Sequence, residues 1–323
     1  MRLNEPVSFK AYGLTFESEI FLPGLAVGGG DADVVIRVGT VDPGDSQPAE
    51  FDCWVETKPD EIRLFWDGVG RFLIRDASEV IVQPAADIDP QLFQQTVLGP
   101  IFCLVAQQRG WYPLHASAVL AGDSVVALAG ASGRGKSSLA AALSSKGYSL
   151  VADDVTVIDT AASPPQVRPG ITALKLWPDA LARLGKPSDS FPTVDDRTEK
   201  RRLDPHAHEL EIGAGLRSVY LLDEGTEPSI SPVPPEEALL QLVDLCQYRD
   251  LLHGIAGTVG LMPHAARIAH EVPVFRFTRK DSLSELFETA AMLEEHLSSR
   301  SVLMHRDSGE ARAPDVKKRT PSS

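Results

Sequence analysis

A glycine-rich turn set between a β-favouring run and a helix-favouring run constrains this chain more than any other feature. Gly130-Ala131-Ser132-Gly133-Arg134-Gly135-Lys136-Ser137 satisfies GxxxxGK[ST] at every fixed position, with SVVALA before it and SSLAAALSSK after it. That strand–loop–helix context is the one in which such a loop has a mechanism. Its glycines let the backbone wrap closely around phosphate oxygens with N–H groups turned inward, while the helix directs its positive dipole end at the same anion. Lys136 then serves as a mobile charge for the outer phosphates, and the Ser137 hydroxyl is placed to ligate Mg²⁺. Gly130 to Ser138 is the expected nucleotide-binding stretch. The competing reading is a tight glycine turn with no nucleotide.

The next strand signal, YSLVA, follows Gly147 and runs into Asp153-Asp154. A right-handed βαβ crossover would bring its carboxyl end to the edge that carries the glycine loop, where ligands of open α/β sheets gather. Adjacent residues of a regular strand point to opposite faces. Both acids can therefore face a nucleotide only if the strand ends or bulges there, leaving one to hold Mg²⁺ and the other to receive a substrate proton. His115, in PLHASAV, lies on the strand before the loop, from which it can reach the acids. A packed or solvated histidine is the competing reading.

The rest of the chain organises around this centre. Residues 1–88 carry short β-favouring runs (DVVIRV, FDCWVET, EIRLFW, RFLIR) between Gly, Pro and Asp clusters, the signature of a β-rich unit. Residues 89–110 space apolar side chains as a connecting helix, which Gly99-Pro100 must bend or break. From 111 to 298 strand and helix signals alternate, which predicts a parallel α/β sheet. Strands are expected at 114–120, 124–129, 148–152, 217–222 and 274–278, and helices at 136–146, 177–185, 235–252, 264–272 and 282–297. Prolines and charges between Pro164 and Pro205 predict surface loops, and the polar tail 299–323 predicts disorder.

Composition narrows the partners. A net charge of −14 over 323 residues argues against general affinity for nucleic acid or an anionic membrane. The three cysteines have no CxxC spacing and read as reduced core thiols. The first residues lack a signal-peptide apolar region, and no stretch approaches the ~20 apolar residues of a membrane span. Cytoplasmic residence is expected, and a homo-oligomer is compatible with the sequence.

Taken together, His115, GASGRGKS at 130–137 and LVADD at 150–154 resemble the catalytic domain of the HPr kinase/phosphorylase family. The resemblance implies a P-loop kinase domain of HPr-kinase type behind the β-rich N-terminal unit. It further implies ATP and Mg²⁺ as cofactors, Asp153 as general base, Asp154 as the metal-side acid and His115 as their support. Looser similarity over residues 8–298 points to the HPr kinase-related proteins of lasso-peptide biosynthesis, which phosphorylate a serine at the C-terminal end of a precursor peptide. It is carried by FKAYGLTFESEIFLPGL, QRGWYPLHASAV, ALKLWPDALARLG, EKRR and VPVFRFTRKD. The family's downstream glutamate and arginine motif is replaced by TEKRRLDP. There Lys200, Arg201 and Arg202 are candidates to neutralise a phosphoryl group or grip a peptide carboxylate, and Glu199 to assist the metal. The expectation is a peptide-serine kinase. A kinase of a small hydroxylated metabolite and a nucleotide-gated interaction module that transfers nothing are the competing functions.

Overall fold

The turn signals of the first 88 residues separate strands that pair mostly with their neighbours in the chain. In the computed structural model, which describes residues 2–42, 53–194, 198–204, 213–280 and 282–307, eight strands form one sheet. They are β1 (Arg2–Ala11), β2 (Leu14–Ile20), β3 (Ala26–Val27), β4 (Val34–Val38), β5 (Cys53–Lys58), β6 (Glu61–Trp66), β7 (Gly70–Arg75) and β8 (Glu79–Pro84), in the order β3-β1-β2-β4-β8-β7-β6-β5. Hairpin pairs β1–β2, β5–β6, β6–β7 and β7–β8 are antiparallel, and β4 joins the two halves through parallel pairs with β2 and β8.

Asp89 starts the connecting segment, its carboxylate accepting from the Gln91 and Leu92 N–H groups at 2.8 and 2.9 Å, with Pro90 at the first helical position. Helix α1 (Pro90–Thr96) and helix α2 (Phe102–Gln108) are joined by a π turn, Val97–Ile101. Gly99-Pro100 is thus absorbed as a wider turn and breaks nothing. Phe93 stacks on Phe72 of β7 and Phe102 on Phe16 of β2, with centroids 5.5 and 4.5 Å apart.

The second sheet is mixed, where alternating strand and helix signals predict a parallel one. Its strands are β9 (Tyr112–Leu114), β10 (Ala116–Ala121), β11 (Ser124–Ala129), β12 (Ser149–Ala152), β13 (Thr156–Asp159) and β14 (Gln166–Val167), then β17 (Ala214–Glu224), β18 (Ser229–Pro232) and β19 (Val274–Arg279). A separate small pair, β15 (Leu174–Leu176) with β16 (Arg201–Leu203), stands in the predicted loop region. Helices α3 (Lys136–Ser145), α4 (Pro178–Arg183), α5 (Pro235–Asp244), α6 (Arg249–Glu271) and α7 (Leu286–Asp307) complete the chain. Strand β10 lies antiparallel between β11 and β12, so those two run the same way and both end on one edge. Parallel β17 and β19 extend the sheet beyond β11.

The predicted strand 114–120 is interrupted at His115, and the predicted helix 235–252 breaks at 245–248, where Tyr248 is left-handed (φ 55°). Helix α7 runs to Asp307, into the tail expected to be disordered; 308–323 lie outside the described residues.

Strand alternation divides the interior. Ala116, Ala118, Val125, Ala127 and Ala129 face a core shared with the first sheet and with α1 and α2. Val119, Ala121, Val126 and Leu128 face a second core built from α3, α4 and α7. The first sheet and the loop-bearing sheet therefore share one apolar interior across the connecting helix.

Candidate functional site

The glycine loop runs from the end of β11 to the start of α3. Gly135 sits left-handed (φ 68°) directly before the helix, and a Cβ there would come 2.6 Å from the Arg279 guanidinium. The left-handed backbone is what calls for glycine, since the end of the Arg279 side chain can move aside. Lys136 follows in the first helical turn, almost fully buried, its Nζ donating to the carbonyls of Gly130 and Ala131 at 2.8 and 3.0 Å. Burial lowers its pKa to about 8, against the pull of Asp154 and Asp153.

Strand β12 ends at Ala152. The Val155 N–H donates to the Asp153 carbonyl at 2.8 Å across Asp154, whose φ is 67°. This is a three-residue turn of the positive-φ kind, rare for a residue other than glycine. It is the strand ending that the Asp-Asp pair required, and it separates the two carboxylates. Asp153 is 4 % exposed and accepts from the Ser117 hydroxyl at 2.5 Å and the Ser137 hydroxyl at 2.9 Å. Burial pushes its carboxyl above the ordinary value and Asp154 adds to this, while the two hydroxyls oppose it. Asp154 keeps 36 % of its side chain exposed, with Lys175 Nζ at 3.1 Å, Gln247 Nε2 at 3.4 Å and His115 Nε2 at 3.6 Å. Burial works to raise its pKa too, but Lys175, with His115 and Lys136 behind it, holds the carboxyl below the ordinary value. The geometry thus separates the pair: Asp153 lies with the loop serine, and Asp154 is the more exposed of the two.

Burial beside Lys136 lowers His115 to about 4, despite Asp154, so the imidazole is neutral near pH 7. A cavity of about 360 Å³ joins His115, Ser132, Gly133, Gly135, Lys136, Ser137, Ser138, both acids and Lys200.

Other expected residues lie elsewhere. The Arg134 side chain turns outward to Glu224. Arg201 donates to the Phe191 carbonyl, and Arg202 pairs with Asp204 at 3.1 Å while lying against Gly24 of the first sheet. Glu199 is exposed and outside the cavity lining. Arg201 and Arg202 are neighbours on β16 and so take opposite faces, while Lys200 stands just before the strand and reaches the cavity.

Lys175, Trp177 and Arg279 also line the cavity, and Ser117 and Gln247 reach the acids. Ser117 carries a readable signal, since it lies two residues after His115. Lys175 sits between buried Leu174 and Leu176, a strand alternation that marks it as outward but names no partner. Gln247 and Arg279 arrive from distant parts of the chain and have no local signal.

Among the described residues no group of three His, Cys, Asp or Glu side chains forms a metal cage. The donor set is instead one serine hydroxyl and one carboxylate in contact at the loop. That set fits Mg²⁺ shared with phosphate oxygens, an ion that is held by few protein ligands. No described helix is long and apolar enough to cross a membrane.

No family model matches the chain, and no curated protein does either. The solved structure of the HPr(Ser) kinase/phosphatase from Coxiella burnetii aligns with 62 % of this chain and 99 % of its own at 14 % identity, with a TM-score of 0.34. A likeness at that score leaves the functional reading to the site's own geometry.

Proposed function

We propose that the protein is an ATP-dependent kinase that phosphorylates a peptide serine, at the C-terminal end of a lasso-precursor peptide as the resemblance implies. The observation that carries this reading is the turn at Asp154, which parts an acid held by the loop serine from an acid open to the cavity. In this reading Gly133, Gly135 and the first N–H groups of α3 hold the phosphates, and Lys136 moves from the loop carbonyls to the outer phosphoryl oxygens. Ser137 and Asp153 would hold Mg²⁺, which when bound neutralises phosphate charge. The serine oxygen forms its bond to the γ-phosphorus as the bond to the bridging oxygen breaks. That electron pair leaves with ADP, and the serine proton passes to an Asp154 oxygen.

This exchanges the two roles that the family resemblance assigns. Asp154 stays ionised near pH 7 and is therefore always ready to accept, though it is a weak base. A loose transition state asks little of the base and more of positioning. Lys175 and Lys200, beside Trp177 at the cavity mouth, supply cations for a peptide carboxylate.

The test uses γ-labelled ATP and a peptide ending in serine. Asp154→Asn should cut turnover roughly 10²–10⁴-fold with ATP affinity changed little, and Asp153→Asn should weaken Mg²⁺-dependent ATP binding. Full activity in Asp154→Asn, or wild-type protein that phosphorylates no serine peptide, would sink the proposal.

A further inference from the structure

The break between α5 and α6 brings an otherwise unassigned stretch, Leu245–Tyr248, to the back of the site. Leu114 and Cys246 form an antiparallel bridge there. On either side of it the His115 N–H donates to the Leu245 carbonyl at 2.8 Å and the Gln247 N–H to the Pro113 carbonyl at 2.9 Å. The stretch is therefore a turn held by a single antiparallel bridge against the residues that carry His115. Its side chain at 247 reaches the exposed acid, Gln247 Nε2 lying 3.4 Å from Asp154 Oδ1.

Two features fix that reach. Tyr248 is left-handed, with φ 55° and ψ 35°, and turns the chain from this bridge into α6. A β-like or helical backbone at 248 would aim the preceding residue elsewhere, and a bulky side chain holds such a conformation only when its surroundings impose it. The surroundings are the π turn of the connecting segment: a Cβ on Gly99 would fall inside contact distance of the Tyr248 hydroxyl, so the ring is seated where only glycine leaves room. The contact chain runs from Gly99 to Tyr248, then to Gln247, then to Asp154. The connecting segment between the two sheets is in this way mechanically tied to the acid.

We infer that Gln247 is a positioning residue for Asp154, donating its amide N–H to one carboxylate oxygen and so setting where the proton-accepting oxygen stands, with the Gly99–Tyr248 contact holding Gln247 in place. The inference rests on the proposed role of Asp154. Lys175 and Lys136 are the cations nearest that carboxylate, with the His115 imidazole and Asp153 beside it and Tyr12, Tyr248 and Cys103 on the buried side. Among these groups the Gln247 amide is a neutral donor, and it directs the carboxylate without changing the charge of the site.

The test is a double-mutant cycle on turnover with the full-length protein, ATP and a serine peptide. Gln247→Met keeps length and removes the donor. It should lower kcat roughly tenfold to a hundredfold, the scale of a small misplacement of a reacting group, with peptide KM and ATP affinity within about twofold. In an Asp154→Asn background the same substitution should cost less than about twofold, because the group it positions is already gone. Gln247→Glu, of equal size, should be worse than Gln247→Met, since a carboxylate would face a carboxylate.

A second pair needs no change at the site itself. Gly99→Ala should lower kcat by crowding the Tyr248 hydroxyl, and Gly99→Ala with Tyr248→Phe should recover part of the loss. An equal loss from Gln247→Met in both backgrounds, or a change confined to KM, would overturn the inference, as would a Gly99→Ala defect that Tyr248→Phe leaves untouched. Failure of the Asp154 role would show separately, as normal turnover in Asp154→Asn alone.

Discussion

The two sheets are built from similar residues and do different work. In the first, antiparallel pairing is mostly between strands next to each other in the chain, and its buried face is filled by aromatic side chains from itself and the connecting helices. In the second, β11 pairs with β17 and β17 with β19 across long stretches of sequence, and strand ends open into a polar cavity. Where strands return by hairpins, tight turns close their ends, whereas parallel neighbours leave their carboxyl ends for loops and ligands. Substitutions should accordingly separate activity from stability by sheet.

The largest separation is expected at Lys136. Lys136→Met keeps the aliphatic stem and removes the charge for the outer phosphates, so phosphoryl transfer should fall by about 10²–10³-fold or more. Burial disfavours the charged ammonium, so thermal stability should hold or rise slightly. A calorimetric Tm beside a labelled-ATP assay reads both. A large fall in Tm that accompanies the lost activity would blur the distinction between the sheets.

The reverse separation belongs to Phe72, fully buried in the first sheet and stacked on Phe93. Phe72→Ala should cost about 3–5 kcal/mol in urea unfolding, while turnover per folded molecule stays near wild type. Loss of turnover at full folding would show that the shared interior transmits more than packing.

This comparison also explains what was legible in the sequence. The glycine loop with its flanking strand and helix follows from local pattern, because consecutive residues supply all the parts. The hairpins of the first sheet are legible for the same reason. Asp154 is not: the run LVADD requires the strand to end, but a positive φ at the second acid is rare outside glycine and has no local signal. Lys175, Gln247 and Arg279 are placed by pairings of distant segments, which no window of sequence contains. The cationic run at 200–202 reads as one patch, but of its three members only Lys200 lines the cavity.

His115 gives an effect of intermediate size. Its pKa falls from 6.5 unfolded to about 4 folded, so the native state binds fewer protons than the unfolded chain between those values. The stability it contributes is complete above about pH 6.5 and is lost as pH falls toward 4, up to about 3 kcal/mol for a shift of this size. Urea unfolding at pH 7 and pH 4.5 should show a smaller acid loss in His115→Gln than in wild type. Equal losses in the two proteins would place His115 in a more solvated setting than its burial implies.

The smallest effects should distinguish the members of the cationic run. Lys200 lines the cavity, with its ammonium 5.3 Å from the centre of the half-exposed Trp177 ring, and a cation at the mouth gains most when a peptide carboxylate displaces water there. Arg202 is committed to Asp204 and to the turn at Gly24. Lys200→Ala should therefore raise peptide KM by about threefold to tenfold with kcat little changed, an effect that shrinks as salt screens the partly exposed charge. Arg202→Ala should leave both constants within about twofold and cost under ~1 kcal/mol of stability, as exposed ion pairs do. Steady-state kinetics at low and high salt would rank the two, and the opposite ranking would move the acceptor from the mouth of the second sheet to the seam where Arg202 meets the first.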